Sequence, residues 1–145
     1  MKPLLQISNL SINFKIRKSD FRAVKNLSLS IHENQVAGLV GESGSGKSVT
    51  ALSIMRLLPE PKAHFSPESS IVFNGLDVLK AQPKQLRELR GNEIAMIFQE
   101  PMTSLNPNHR VGNQIIESIQ LHKAQSKTEA IAEAKKLMSL VEITD

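Results

Sequence analysis

The sequence contains no cysteine, no tryptophan and no tyrosine, and five phenylalanines supply all of its aromatic rings. Without a thiol the chain forms no disulfide framework, no cysteine-ligated zinc or iron–sulfur centre and no cysteine nucleophile. No uninterrupted apolar run approaches the ~20 residues needed to cross a bilayer. The opening MKPLLQISNL breaks its apolar residues with Gln6, Ser8 and Asn9, so it lacks the hydrophobic stretch of a secretory leader. The four histidines, His32, His64, His109 and His122, share no metal-ligand spacing and read as solvated surface groups. Internal repeats, low-complexity tracts and linker-like stretches are also missing. These absences point to a soluble intracellular protein, and 145 residues with 40% hydrophobic content suit one domain with a core. A net charge of +4 permits contact with anions, but so mild an excess reads as a solvated surface rather than a nucleic-acid footprint. Lys84, Arg87 and Arg90, at helical intervals, read the same way.

What is present is ordered pattern. Leu5, Ile7, Leu10, Ile12 and Phe14 alternate partially over Leu4–Phe14. After a polar turn at Lys15–Arg22, alternation resumes in Val24, Leu27, Leu29 and Ile31, predicting an antiparallel pair. Val36–Val40 is almost wholly apolar, as expected of a strand covered on both faces. Ser48–Leu58 predicts a helix stopped by Pro59 and Pro61. Pro59–Ser70, with three Pro and three Ser, predicts a loop. Ile71–Phe73 predicts a short strand turning at Asn74-Gly75. Pro83–Arg90 predicts a helix with Pro in its first turn and Gly91 beyond its end, and Ile94–Phe98 a second buried strand. Two helices close the chain, about Val111–His122 and one opened by the capping box Ser126-Lys127-Thr128-Glu129. The second carries an apolar stripe of Ile131, Ala134, Met138 and Val141.

The most specific motif is Gly41-Glu42-Ser43-Gly44-Ser45-Gly46-Lys47-Ser48, a match to G-x-x-x-x-G-K-[ST]. Glycines let the backbone curl until successive N–H groups face phosphate oxygens. Lys47 supplies positive charge for the β- and γ-phosphates, and the Ser48 hydroxyl suits a Mg²⁺ ligand. The helix that follows presents four unpaired N–H groups and a partial positive charge to the same anion. A chance match in a chain this long is expected on the order of once in two hundred, and a strand before it with a helix after it makes chance rarer still. The backbone amides of Glu42, Ser43 and Ser45 matter more here than their side chains.

A phosphate loop alone does not separate kinases, GTPases, helicases and transport ATPases. The arbiter is Ile94-Ala95-Met96-Ile97-Phe98-Gln99-Glu100-Pro101-Met102-Thr103-Ser104-Leu105-Asn106-Pro107. Together with GESGSGKSVTALSIMRLLP, it resembles the ATP-binding subunits of ABC transporters, in particular importers of the dipeptide and oligopeptide class. Within that class the chain is most similar to the first half of tandem-ATPase proteins serving peptide and microcin C uptake. The resemblance covers essentially all 145 residues.

It implies an α/β fold, a P-loop ATPase with an N-terminal antiparallel β region (about 1–35), a P-loop core with an incomplete sheet (about 36–100) and the start of a helical subdomain (about 99–145). It implies ATP and Mg²⁺ as cofactors, the nucleotide held by Gly41 through Val49. Mg²⁺ would sit at Ser48 and Gln99, with Gln99 also positioning the attacking water. A neutral amide orients water without adding charge beside a triphosphate. Phe14 stands where the family places its adenine-stacking ring, though alternation alone would also put an apolar residue there. The partners implied are membrane subunits of a transporter and a second ATP-binding domain, with no direct nucleic-acid contact. The location implied is the cytoplasmic face of the inner membrane, reached through those partners.

The family's remaining motifs are not in these 145 residues: there is no LSGGQ-type signature, no apolar strand ending in Asp-Glu and no switch histidine after a later strand. The chain is therefore expected to be the N-terminal portion of such a domain, with parallel-sheet edges left uncovered. Two functions follow: an ATPase component of a peptide importer, or a nucleotide-binding module without hydrolysis of its own.

Overall fold

In the computed structural model, which describes residues 2–16, 19–99 and 104–143, the chain opens as a long antiparallel hairpin. Its strands are β1 (Leu5–Ile16) and β2 (Ser19–Ile31). The imperfect alternation of the sequence has a structural cause. Register shifts fall between Ile7 and Leu10 and between Leu10 and Ile12 of β1. Asn9 and Asn26 adopt left-handed backbone angles there, φ 50° and 48°. The Asn9 N–H donates to Ser28 Oγ and the Asn26 N–H to Ser11 Oγ, each at 2.9 Å. The bulges absorb the extra residues, so Leu5, Ile7, Leu10, Ile12 and Val24 all turn inward and are buried.

The hairpin extends past its expected end. Lys15 faces Asp20 and Phe14 faces Phe21 across the ladder, so most of the Lys15–Arg22 segment is strand, not turn. Opposite charges and paired rings sustain a ladder whose two faces both meet solvent, which erases the alternation. Arg17 and Lys18 lie outside the described residues.

After the phosphate loop comes helix α1 (Lys47–Ile54), followed by β3 (Ala63–Phe65), β4 (Ser70–Phe73), β5 (Leu76–Asp77) and helix α2 (Pro83–Leu89). The sheet runs β2-β1-β4-β5, with β3 pairing β1 beyond β4. Asn74-Gly75 forms the β4–β5 turn with φ 46° and 85°, the doubly positive geometry that favours Asn-Gly. The expected loop Pro59–Ser70 thus contains a short strand. Ala63 is buried and Phe65 half-buried about an exposed His64, an alternation hidden by the surrounding prolines.

Helix α1 is shorter than Ser48–Leu58. It ends in a Schellman motif, with Leu57 N–H donating to Leu52 O and Arg56 N–H to Ser53 O, both at 2.9 Å. Arg56 takes the left-handed position at φ 49°, where glycine is usual.

Two further expectations are corrected. Residues 36–40 and 94–98 form no strand. Val36, Val40 and Ile97 are fully or almost fully exposed, and Leu39 and Phe98 are exposed as well. A doubly covered parallel strand is defined by neighbours on both sides. Among the described residues 36–40 have no strand neighbour, and the 94–98 run has only an isolated bridge at Ile94, whose O accepts from Gly91 N–H at 2.8 Å. His32 and His122 are half-buried rather than solvated.

The chain divides into two compact units, Met1–Arg90 and Gly91–Asp145. The second holds α3 (Val111–His122) and α4 (Lys127–Leu140), as the periodicity predicted. Ser126 and Glu129 close the capping box reciprocally. Its small core is Ile119, Ala130 and Ala134, with Ile115 and Ile116 packed against it. Ile131 and Met138 are only half-buried and Val141 is exposed beyond the helix. Ala134 is buried as expected and Ala130 joins it, so the buried stripe rests on alanines with Ile131 and Met138 at its edge. No described helix is long and apolar enough to cross a membrane.

Candidate phosphate-binding site

The 41–48 loop folds as its residue types dictate. Gly44 and Gly46 sit at φ 81° and 90°, a region that a side chain resists. A Cβ on Gly46 would meet Ala23 O at 2.5 Å and Val24 Cγ2 at 3.1 Å. That glycine is therefore needed twice, for the turn and for the close approach to β2. The loop closes through Ser45 N–H to Glu42 O at 3.2 Å.

Lys47 reaches back over the loop. Its Nζ donates to Gly41 O and Glu42 O at 2.7 Å each and lies 3.4 Å from Ser45 Oγ. The ammonium is thus held at the mouth of the loop by carbonyl dipoles. Gly46 is the N-cap of α1 and, having no side chain, gives no capping bond. The helix accordingly opens with its first N–H groups turned toward an exposed loop, an arrangement suited to a phosphate. One turn in, Thr50 is buried and fixed to Gly46 O through both its N–H, at 2.8 Å, and its hydroxyl, at 2.9 Å.

The loop residues expected to hold nucleotide, Gly41, Glu42, Ser43, Gly44, Ser45, Gly46, Lys47, Ser48 and Val49, form one continuous turn into α1. Gly41 to Ser45 and Ser48 are exposed, while Gly46, Lys47 and Val49 are half-buried. These residues fit a polyphosphate: curled glycine backbone, a tethered ammonium and an uncapped helix start. Ser48 lies in the first turn, exposed, where a hydroxyl suits a cation held by phosphate. Among the described residues there is no cluster of three or more His, Asp or Glu able to hold a metal on its own.

Phe14 is half-buried on β1, opposite Phe21 of β2 and Ala63 of β3. The same ladder pairs Ile12 with Val24, whose side chain would crowd a Cβ on Gly46. The register therefore sets the ring two residues along β1 from the strand pair that abuts the loop. Gln99 is exposed and belongs to the second unit. Residues 100–103, which complete its motif, lie outside the described residues.

Three contributors were not legible from the motif. Ala23 and Val24 form the wall against Gly46, but nothing in their residue types announces it. Arg90, expected on a solvated face with Lys84 and Arg87, is half-buried and spans two backbone carbonyls at the far end of α1. Its Nε donates to Met55 O at 2.8 Å and its Nη2 to Arg56 O at 2.6 Å.

The family model described as ABC transporter matches residues 24–145. The chain is 46% identical over 144 residues to the peptidoglycan transport ATP-binding protein YejF of Agrobacterium fabrum, covering 99% of this chain and 26% of that protein. It is 42% identical over 143 residues to the dipeptide transport ATP-binding protein DppD of Lactococcus lactis subsp. cremoris, covering 98% and 40%. The chain thus spans less than half the length of these curated relatives. A solved structure of the ATP-binding cassette MJ0796, a dimer in a post-hydrolysis state bound to ADP and Pi, superposes with a TM-score of 0.74 at 21% identity. It covers 95% of this chain and 57% of that one, and at that identity the likeness is one of fold.

Proposed function

Since the chain belongs to the ABC transporter family, we propose that it is the nucleotide-binding part of an ATP-driven peptide import system. The observation that carries the reading is the 41–48 loop. Lys47 Nζ is poised on two loop carbonyls at the glycine-capped start of α1. In this reading the loop amides and the α1 N-terminus bind the β- and γ-phosphates of ATP, Lys47 neutralises them and Phe14 stacks on the adenine. Ser48 and Gln99 would hold Mg²⁺, and Gln99 would orient the water that attacks the γ-phosphate. Mg²⁺, when bound, would offset charge on the phosphates. Both compact units belong, on this reading, to one ATPase domain that closes against a second ATP-binding domain. That domain docks on membrane subunits at the cytoplasmic face of the inner membrane. The names of the relatives, which concern peptidoglycan and dipeptide transport, support a peptide as cargo.

Titration with a fluorescent ATP analogue tests the binding step. Saturable binding is expected, and Lys47→Ala should weaken it at least about tenfold, the scale of losing a charge-assisted contact to phosphate. Equal binding by wild type and Lys47→Ala would sink the reading. A second reading is a nucleotide-binding module without hydrolysis of its own. Steady ATP turnover that Lys47→Ala abolishes would eliminate it.

A further inference from the structure

The contacts at the C-terminal end of α1 form a cross-stitch with α2. Arg90, immediately after α2, donates from Nε to Met55 O and from Nη2 to Arg56 O. Arg56, immediately after the α1 cap, donates from Nη1 to Ala81 O at 3.0 Å, one residue before the Gln82 N-cap of α2. Its Nε also pairs with Glu60 Oε1 at 3.1 Å. Each arginine thus crosses to the backbone beside the other helix. The Schellman bonds satisfy the carbonyls of Leu52 and Ser53, and those of Met55 and Arg56 are taken by Arg90. Its cation also sits at the negative end of the helix dipole, where positive charge is favourable.

Helix α1 has only eight residues, Lys47–Ile54, and its other end carries the 41–48 loop. A short rigid rod held at one end transmits any tilt to the other. The N-terminal end is seated against β2 through Gly46, so its direction depends on how the C-terminal end is fixed. We propose that Arg90 is a positioning residue for nucleotide binding. By bridging the carbonyls of Met55 and Arg56, the cap and the residue just past the end of α1, it fixes the helix axis, and so aims the Lys47 ammonium and the α1 N–H groups at the phosphates. The proposal rests on the nucleotide-binding reading of the loop.

The test is ATP-analogue affinity in the full-length protein for wild type, Arg90→Lys, Arg90→Gln and a control, Ile71→Val. Measurements are made at a temperature where circular dichroism shows each fully folded. Ile71 is completely buried in β4, on the opposite side of β1 from β2, so its truncation loosens the core while leaving the hydrogen bonds at both ends of α1 in place. Arg90→Gln should weaken binding about five- to tenfold, as expected when reactive groups are misaimed by a fraction of an ångström. Arg90→Lys, which keeps the charge but gathers its donors on one nitrogen in place of the two that reach Met55 O and Arg56 O, should fall between it and wild type. Ile71→Val should stay within about twofold of wild type. Wild-type affinity in Arg90→Gln, or an equal loss in Ile71→Val, overturns the proposal. If Arg90→Gln does not fold, Arg90→Lys carries the test, and wild-type affinity there overturns it. Failure of the wild-type protein to bind ATP overturns the phosphate-loop reading and this one with it. Normal binding by both wild type and Arg90→Gln removes this one alone.

Discussion

Gly46 and Gly44 share a sign of φ and little else. At Gly46 a methyl group would lie 2.5 Å from Ala23 O and 3.1 Å from Val24 Cγ2, and backbone carbonyls do not yield cheaply. Gly44, at φ 81°, faces open space. Gly44→Ala should therefore cost only the left-handed strain, about 1–2 kcal/mol. Gly46→Ala adds overpacking to that strain and should lose roughly 3 kcal/mol. Urea denaturation of the two variants checks the ranking, and a Gly46→Ala midpoint no lower than that of Gly44→Ala would contradict the geometry. The loop's chemistry was legible because its spacing encodes backbone curl and charge together. The partner surface was not legible, since Ala23 and Val24 are ordinary strand residues whose proximity arises only when β2 passes beneath the loop. Arg90 was misplaced for a related reason. Spacing put it on a helix face with Lys84 and Arg87, yet it falls one residue past the end of α2, where the chain turns its side chain toward α1.

Among the elements, α4 shows how far local sequence rules reach. The capping box read from Ser126 and Glu129 is present in full: Ser126 N–H and Oγ donate to Glu129 Oε2, and Glu129 N–H donates to Ser126 Oγ. Those bonds from Ser126 hold the Glu129 carboxyl below its ordinary range, and bonds from Lys123 and Gln125 do the same for Glu133. Both groups are more acidic folded than unfolded. Their contribution is therefore complete above the unfolded carboxylate value and is lost as pH falls through the lower folded value. Helicity of α4, followed by circular dichroism, should decline on acidification across that window, and Glu129→Gln should flatten the decline. An unchanged acid profile in Glu129→Gln would remove the capping box as its cause. Ser126→Ala should independently cost about 1 kcal/mol, read from thermal unfolding.

Caps, the Asn-Gly turn and the helix periods are local codes, so they could be read directly. The bulges at Asn9 and Asn26 were visible only as broken alternation. Residues 36–40 and 94–98 were misread, because a continuous apolar run specifies burial and leaves the partner strand to the rest of the fold.

Those two runs dominate the behaviour of the molecule as a whole. Isolated exposed apolar side chains are ordinary on protein surfaces. Val36 and Val40 flank one unpaired run, however, and Ile97 and Phe98 end another, all exposed, and neither backbone has a ladder among the described residues. Exposed apolar backbone that lies outside any ladder is a template for intermolecular strand pairing. The opposing force is self-repulsion, and a net charge of +4 spread over 145 residues is screened beyond about 8 Å at physiological salt. Contact between chains at these runs is shorter-ranged than that, so apolar attraction should prevail. The 145-residue chain is therefore expected to self-associate with rising concentration, measured by sedimentation velocity. Charge placed on the runs themselves acts at contact distance and escapes the screening. The double variant Val36→Lys, Ile97→Lys should shift the population toward monomer. Its urea midpoint should hold, because both side chains are fully exposed and lose no packing. A sharp, reversible, concentration-independent unfolding of a wild-type monomer would show instead that the two runs are covered in solution.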